Sequence, residues 1–365
     1  MTTNGSDQYN NVKNRCFFIG LFLDLVVILA FFFLGYSALV RDWASGISSN
    51  LWIVNAVFLL IFSVTLYFFH LPLNFFLGFV WEHKFKLSNQ NILQWWTDDL
   101  KHSILGLVLI MLLVEVVYFF LRHFPSSWWV GAWLFWVFMA VVMARITPNI
   151  IVPLFYKYLP INNVELKDRI FGMFKKCKVA LKDIYMIDFS QKTKKANAFV
   201  CGMGNSRRVV LSDTLVEKYT VEEIEAVVAH ELGHYVHRDI LKLLLVNGVV
   251  VLIGFYLVAA FLSHFSTSFG MRGVADIAFL PMFAIVFTIF SLGTAMPLNW
   301  YSRLVEKQAD QFCLRMTQKP EAFVSLMEKL GEMNLAKQNP STFEKLFFYD
   351  HPPLKERIKV GREYK

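Results

Sequence analysis

The sequence predicts a mainly α protein, a multi-pass transmembrane helical bundle of about six spans with one α+β segment inserted between the fourth and fifth. Three observations carry this. Of the 365 residues, 56% are hydrophobic and only 18% charged, where a soluble domain has about 25% charged residues. The apolar residues are gathered into long runs of the length that crosses a bilayer. The one long stretch that breaks this pattern, 148–240, contains His230-Glu231-Leu232-Gly233-His234, an H-E-x-x-H.

The first apolar run, Cys16 to Val40, follows a polar start with Lys13 and Arg15. It is too long for a signal-peptide core and has no clear A-x-A site, so it reads as an uncleaved anchor. Asp24 lies inside it. The second run, Leu51 to Val80, exceeds one span and is expected to kink or tilt after Pro72. Residues 81–102 form an amphipathic connector with Trp81, Trp95 and Trp96 at headgroup level. Ser103 to Leu121, with Glu115, and Trp128 to Ile146 are spans three and four, joined by a tight turn.

The inserted segment reads as a helix over 163–180 and three short strands at 184–189, 197–201 and 207–211. The last two are separated by Gly202, Gly204 and Asn205, a hairpin signal. Thr220 and Glu223 form a capping box that starts the H-E-x-x-H helix. Spans five (241–265, containing Asn247) and six (277–301) follow, and the sixth continues into a charged helix, 302–317. The chain thus divides into 1–147 with four spans, the insertion 148–240, two spans in 241–301, and a helical part, 302–365, that completes the site.

Residues four apart on a helix are separated by about 400°, so His230 and His234 project from nearly one face and can share a Zn²⁺. Glu231 adjoins them, where a general base is needed. A third donor must come from elsewhere. Glu306 and Asp310 lie on one face of the helix after span six. Glu306 is the candidate third ligand, and Asp310 can hold the outer nitrogen of a ligand histidine. His237 reads as structural, and Lys192, Lys194 and Lys195 as a solvated loop facing lipid headgroups.

Orientation follows from Lys and Arg near the span ends. Loops 41–50, 122–126 and 266–276 hold one basic residue each, while Lys13, Arg15, Lys84, Lys86, Lys101, the insertion and the C-terminal part lie opposite. Both termini and the catalytic side are therefore expected in the cytosol. The membrane is the plasma (inner) membrane if the source is bacterial and the endoplasmic reticulum if it is eukaryotic. The net charge of +8 belongs to this pattern, so no nucleic-acid partner is expected. Cys16, Cys177, Cys201 and Cys313 are scattered and read as unpaired thiols in a reducing compartment.

With these residues in hand the chain resembles the type I CaaX prenyl proteases, integral-membrane zinc metalloendopeptidases. The likeness runs through the connector 79–101, Ile151-Val152-Pro153-Leu154-Phe155, Asn197-Ala198-Phe199, 210–215, the metal helix, Ser302-Arg303 to Asp310, and His351-Pro352-Pro353. It implies a gluzincin-like metalloprotease domain with one zinc on His230, His234 and Glu306, and Asp310 behind them. It also implies that substrate adds as a strand along Asn197, Ala198 and Phe199. His351 and Arg357 line the site, one of them stabilising the oxyanion. The chain departs from eukaryotic members in having room for six spans rather than seven and no long insertion before the metal helix, which suggests a compact microbial version.

The expected activity is peptide-bond hydrolysis at the bilayer, on peptide or protein substrates, prenylated or not. Lipidated C-terminal tails and membrane-protein quality control are the rival substrate classes. A site-2 type of intramembrane protease is disfavoured, because the H-E-x-x-H ends a capped polar helix. The alternative is a catalytically silent binding or transport protein that keeps the fold.

Overall fold

A computed structural model describes residues 3–202, 207–265 and 269–364. Six of its helical stretches are long and apolar enough to cross a membrane. Helix α1 (Thr3–Phe33) starts well before the apolar run and stops at Gly35, whose φ of 83° ends it; α2 (Tyr36–Ile47) is a separate short helix. The expected run to Val40 is therefore broken. Helix α3 (Leu51–Phe75) passes through Pro72 and loosens into a π-turn, Phe76–Trp81. That turn answers the expected kink, since proline removes a ladder hydrogen bond.

Helix α4 (Ile92–His123) is longer than its apolar run because Asn91 and Gln94 form a capping box before it. Part of the connector thus belongs to the span itself. Helix α5 (Trp128–Ile146) follows. The membrane core is built from large aromatics, among them Phe31, Phe58, Phe62, Tyr118, Trp128 and Phe279. Phe22, Phe68 and Phe138 stand exposed on the spans, as lipid-facing side chains do.

Asp24, Glu115 and Asn247, the polar groups the sequence sets within the spans, are each paired or bonded to their own helix. Asp24 Oδ1 lies 2.7 Å from His70 Nε2, Asn55 donates to Glu115 at 3.1 Å, and Asn247 donates to the Leu243 carbonyl. At the end of the bundle away from the histidines, Arg41 bridges Asp42 and Asp276, and Arg272 joins Asp42.

The insertion folds as a four-stranded sheet. Its strands are β1 (Tyr158–Pro160), β2 (Asp183–Ile187), β3 (Ala198–Cys201) and β4 (Arg208–Ser212), in the order β1-β2-β4-β3. β3 and β4 pair antiparallel, Ala198 opposite Leu211 and Cys201 opposite Arg208. Gly204 and Asn205, in the expected turn, lie outside the described residues. β1 carries no alternating pattern and was not foreseen. Helix α6 (Val164–Lys176) and the short α7 (Asp213–Lys218) flank the sheet.

Two of the three lysines before β3 are tied down rather than solvated, while the Lys194 side chain stays exposed. Lys192 pairs with Asp98 at 2.6 Å and Lys195 with Glu82 at 2.9 Å, and the backbones of Leu87 and Asn89 bond to Lys194 and Lys192. The connector therefore holds the chain leading into the edge strand.

The capping box at Thr220 and Glu223 starts α8 (Val221–Val236), and Arg238, with φ 57°, separates it from α9 (Asp239–Phe265). Helix α10 (Leu280–Thr317) is a single 38-residue rod. At about 1.5 Å per residue it outreaches a bilayer, so its polar C-terminal third lies against α8. Helices α11 (Pro320–Met333), α12 (Thr342–Phe348) and α13 (Leu354–Glu363) close the chain. A second core, including Leu166, Phe174, Leu211, Leu232, Leu314 and Phe323, joins the sheet, α8, α10 and α11.

Candidate active site

The site begins with the contact between α8 and α10. A Cβ at Gly233, inside the H-E-x-x-H, would meet Phe312 Cδ1 at 3.0 Å. Glycine there lets the two helices close, and the closure brings Glu306 to the histidines. His230 Nε2 lies 3.2 Å from Glu306 Oε2 and 3.2 Å from His234 Nε2, and His234 Nε2 lies 3.3 Å from Glu306 Oε1. One donor atom from each of the three residues falls within 4.8 Å of the others.

This donor set fits a divalent metal. Two ring nitrogens point at each other across a distance too short for both to carry protons. Glu306 Oε2 is shielded from solvent yet accepts no hydrogen bond from any described residue. Burial pushes His230 down, but the Asp310 and Glu306 carboxylates beside the ring outweigh it and hold it up at about 9. The carboxylates around the rings thus favour positive charge at the centre, and a metal bound there would displace the ring proton.

Both rings are held from behind. His230 Nδ1 faces Asp310 Oδ1 at 3.0 Å. Arg357 clamps Asp310 with Nε at 2.8 Å and Nη2 at 2.5 Å. His234 Nδ1 faces Asp239 Oδ2 at 3.1 Å, and Lys242 Nζ sits 2.9 Å from Asp239 Oδ1. Asp239 is not among the residues the sequence pointed to. The available signal was an acid five residues past the second histidine, just beyond the turn of the chain.

The centre opens into a cavity of about 230 Å³ whose lining includes Asn197, Ala198, His230, Glu231, His351 and Arg357. Phe199, one residue further along β3, is not among the described residues that line it. No described residue hydrogen-bonds the Glu231 carboxylate, and burial raises its pKa against the pull of the nearby histidines. His351 is half exposed, with Nε2 3.3 Å from Glu306 Oε1 and Nδ1 2.8 Å from Asp350. Asn197 joins β4 by its backbone, donating to Ser212 Oγ at 3.0 Å. β3 is an edge strand of the sheet, so its outer rim has no strand partner among the described residues. His237 packs its ring on Phe312 and is not one of the three grouped donors.

Residues 160–365 match the profile described as peptidase family M48, and residues 2–157 match that of the CAAX prenyl protease N-terminal region, five membrane helices. The chain belongs to peptidase family M48. This M48 chain is 29% identical over 358 residues to an uncharacterized metalloprotease, YhfN, of Bacillus subtilis, covering 97% of this chain and 84% of that one. It is 29% identical over 293 residues to the CAAX prenyl protease 1 homolog of Arabidopsis thaliana, covering 80% and 69%. The crystal structure of S. mikatae Ste24p superposes with a TM-score of 0.87 at 24% identity, over 98% of this chain and 88% of that one.

In the N-terminal half the M48 chain has four candidate spans, and α2 is a short additional helix. The protein is an integral, multi-pass membrane metalloendopeptidase acting on peptide or protein substrates.

Proposed function

We propose that this M48 member is a zinc endopeptidase that trims the C-terminal tails of lipidated, CaaX-type proteins on the cytosolic face of its membrane. The observation that carries the reading is the convergence of His230, His234 and Glu306 beside an unbonded Glu231 and an unpaired strand edge. Two imidazoles and one carboxylate with an open side are the donor set of catalytic zinc sites. A zinc ion held there supplies Lewis acidity to the scissile carbonyl and to the attacking water.

The chain's own groups do the rest. The Glu231 carboxylate takes the proton of the attacking water and passes it to the leaving amine. The substrate extends along the free rim of β3, bonding to the backbone at Ala198 with Asn197 beside the cleaved bond. His351 donates to the developing oxyanion. Arg357 is committed to Asp310 and therefore fixes the His230 ring, which narrows the oxyanion role to His351.

Substrate class rests on the relatives named CAAX prenyl protease. Cytosolic sidedness rests on the Lys and Arg asymmetry. Contacts such as Asn14 to Glu344 and Asn10 to the Leu335 carbonyl put the start of α1 on the same side as the C-terminal part, whichever side that is. The test is to incubate the purified protein, with Glu231→Gln as control, with a farnesylated and an unfarnesylated C-terminal peptide. The farnesylated peptide should be cut between the modified cysteine and the next residue, and Glu231→Gln should keep its metal and cut neither. Cleavage of neither peptide by the wild type, or equal cleavage by Glu231→Gln, would sink the reading. Equal rates on both peptides would remove the lipid requirement.

A further inference from the structure

We infer that Arg303, assisted by Asn299, is a positioning residue that holds His351 over the metal centre. This rests on the reading of His351 as the oxyanion donor. Asn299, Arg303, Glu306 and Asp310 are spaced four, three and four residues apart on α10, so they share one face. Glu306 and Asp310 serve the histidines. The other two reach a different partner.

α12 is seven residues long and leaves its last carbonyls without helical partners. Those carbonyls are capped in trans by α10. Arg303 Nη1 donates to the Lys345 carbonyl at 2.7 Å and to that of Tyr349. Asn299 Nδ2 donates to the Phe347 carbonyl at 2.6 Å. Positive charge is favoured at a helix C-terminus.

Arg303 is only 4% exposed and forms no ion pair among the described residues. A guanidinium buried against carbonyls alone is a costly way to fix a surface helix. The segment after α12 gives the reason, because His351 comes two residues beyond Tyr349. Past His351, Pro352-Pro353 lead into α13, which carries Arg357, clamped to Asp310. Both flanks of His351 are thus tied to one helix, at Arg303 and at Asp310, seven residues or about 10 Å apart. Phe343, Phe347 and Phe348 also pack on Phe17 and Phe18 of α1, so the same segment is stapled to the first span.

The test uses the full-length protein in detergent and a fluorescence-quenched peptide ending in S-farnesyl-Cys-Val-Ile-Ala. Arg303→Met should lower kcat about 10- to 100-fold with KM within about twofold and metal content unchanged, as displacement of a catalytic group by an ångström does. Arg303→Lys should recover part of the loss. In a His351→Ala background, Arg303→Met should cost nothing further. Amide exchange at 346–351 should speed at least about tenfold in Arg303→Met while 221–236 stays protected. Losses that multiply in the double variant, or unchanged exchange at 346–351, overturn the inference. Wild-type activity in His351→Ala would instead remove the oxyanion reading, and the exchange result would still judge the anchoring. Should Arg303→Met fail to fold, Asn299→Leu carries the same measurements.

Discussion

Replacing Asp239 tests how the second histidine is held. The carboxylate is 1% exposed, 3.1 Å from His234 Nδ1 and 2.9 Å from Lys242 Nζ. In Asp239→Ala the Nδ1–H loses its acceptor inside the protein, and the ring is free to swing or change tautomer. Losing such an outer partner costs about 10- to 100-fold in metal affinity, or roughly 1.4–2.8 kcal/mol. Asp239→Asn keeps an acceptor but no charge and should fall at the lower end.

Asp239 also opens α9, where an acid in the first turn contributes about 0.3–1 kcal/mol through the helix dipole. The two effects separate by readout. Helix stability changes unfolding of the metal-free protein, whereas the ring effect changes competition with a chelator of known affinity, with metal counted by mass spectrometry. Lys242→Met leaves the Asp239–His234 contact in place and should weaken binding less than about threefold. Affinity within twofold of wild type in Asp239→Ala would show that the carboxylate does not hold the His234 ring for the metal.

Two further outcomes are expected. Burial raises the Glu223 carboxyl, but Lys329, Ser325 and the Thr220 N–H outweigh it and hold it below its ordinary range. Its stabilisation is therefore full above the unfolded pKa of about 4.3 and is lost as pH falls through the lower folded value. Glu223→Gln should lower stability by roughly 1.5–3 kcal/mol at pH 7, with the gap closing in acid; a gap independent of pH would count against it. Sidedness is best read at Lys359, whose side chain is 72% exposed, because burial pushes the Cys201 thiol up to about 11 and slows its labelling. Lys359→Cys should be modified by an impermeant maleimide only from the cytosolic side, and labelling only from the opposite side would overturn the proposed orientation.

What could be read from the sequence divides along physical lines. His230, His234 and Glu231 were legible because a helix fixes the relation of residues four apart. The spans were legible because lipid demands unbroken apolar length. Glu306 was reachable because two spans had to surface on one side. Asp239 was not, since its meaning depends on a left-handed residue, Arg238, that turns α9 back under the His234 ring. The end of α1 was misplaced because Gly35 breaks a helix in the middle of an apolar run. β1 was invisible, being three residues long and defined only by pairing with β2. Lys192 and Lys195 looked solvated because the acids that hold them, Asp98 and Glu82, are about a hundred residues away in the chain.

The same division says which parts of the site depend on the membrane. The proposed substrate edge belongs to the sheet, whose strands pack on the core shared with α6 and α8. The metal donors do not belong to one unit. His234 is oriented by the first residue of α9, and Glu306 and Asp310 ride on the end of α10. Both of those helices are set by packing inside the bilayer, where Gly254 of α9 meets Phe287 and Phe290 of α10. A side chain forced in at Gly254 must move the Phe287 ring, whose Cε1 would lie 2.9 Å from the new Cβ, and the two helices part where that ring cannot turn aside. The parted ends carry Asp239 and Glu306, so the disturbance reaches the metal donors before it reaches β3. A membrane substitution far from the chemistry is thus felt as weakened metal binding, with the strand edge left in register.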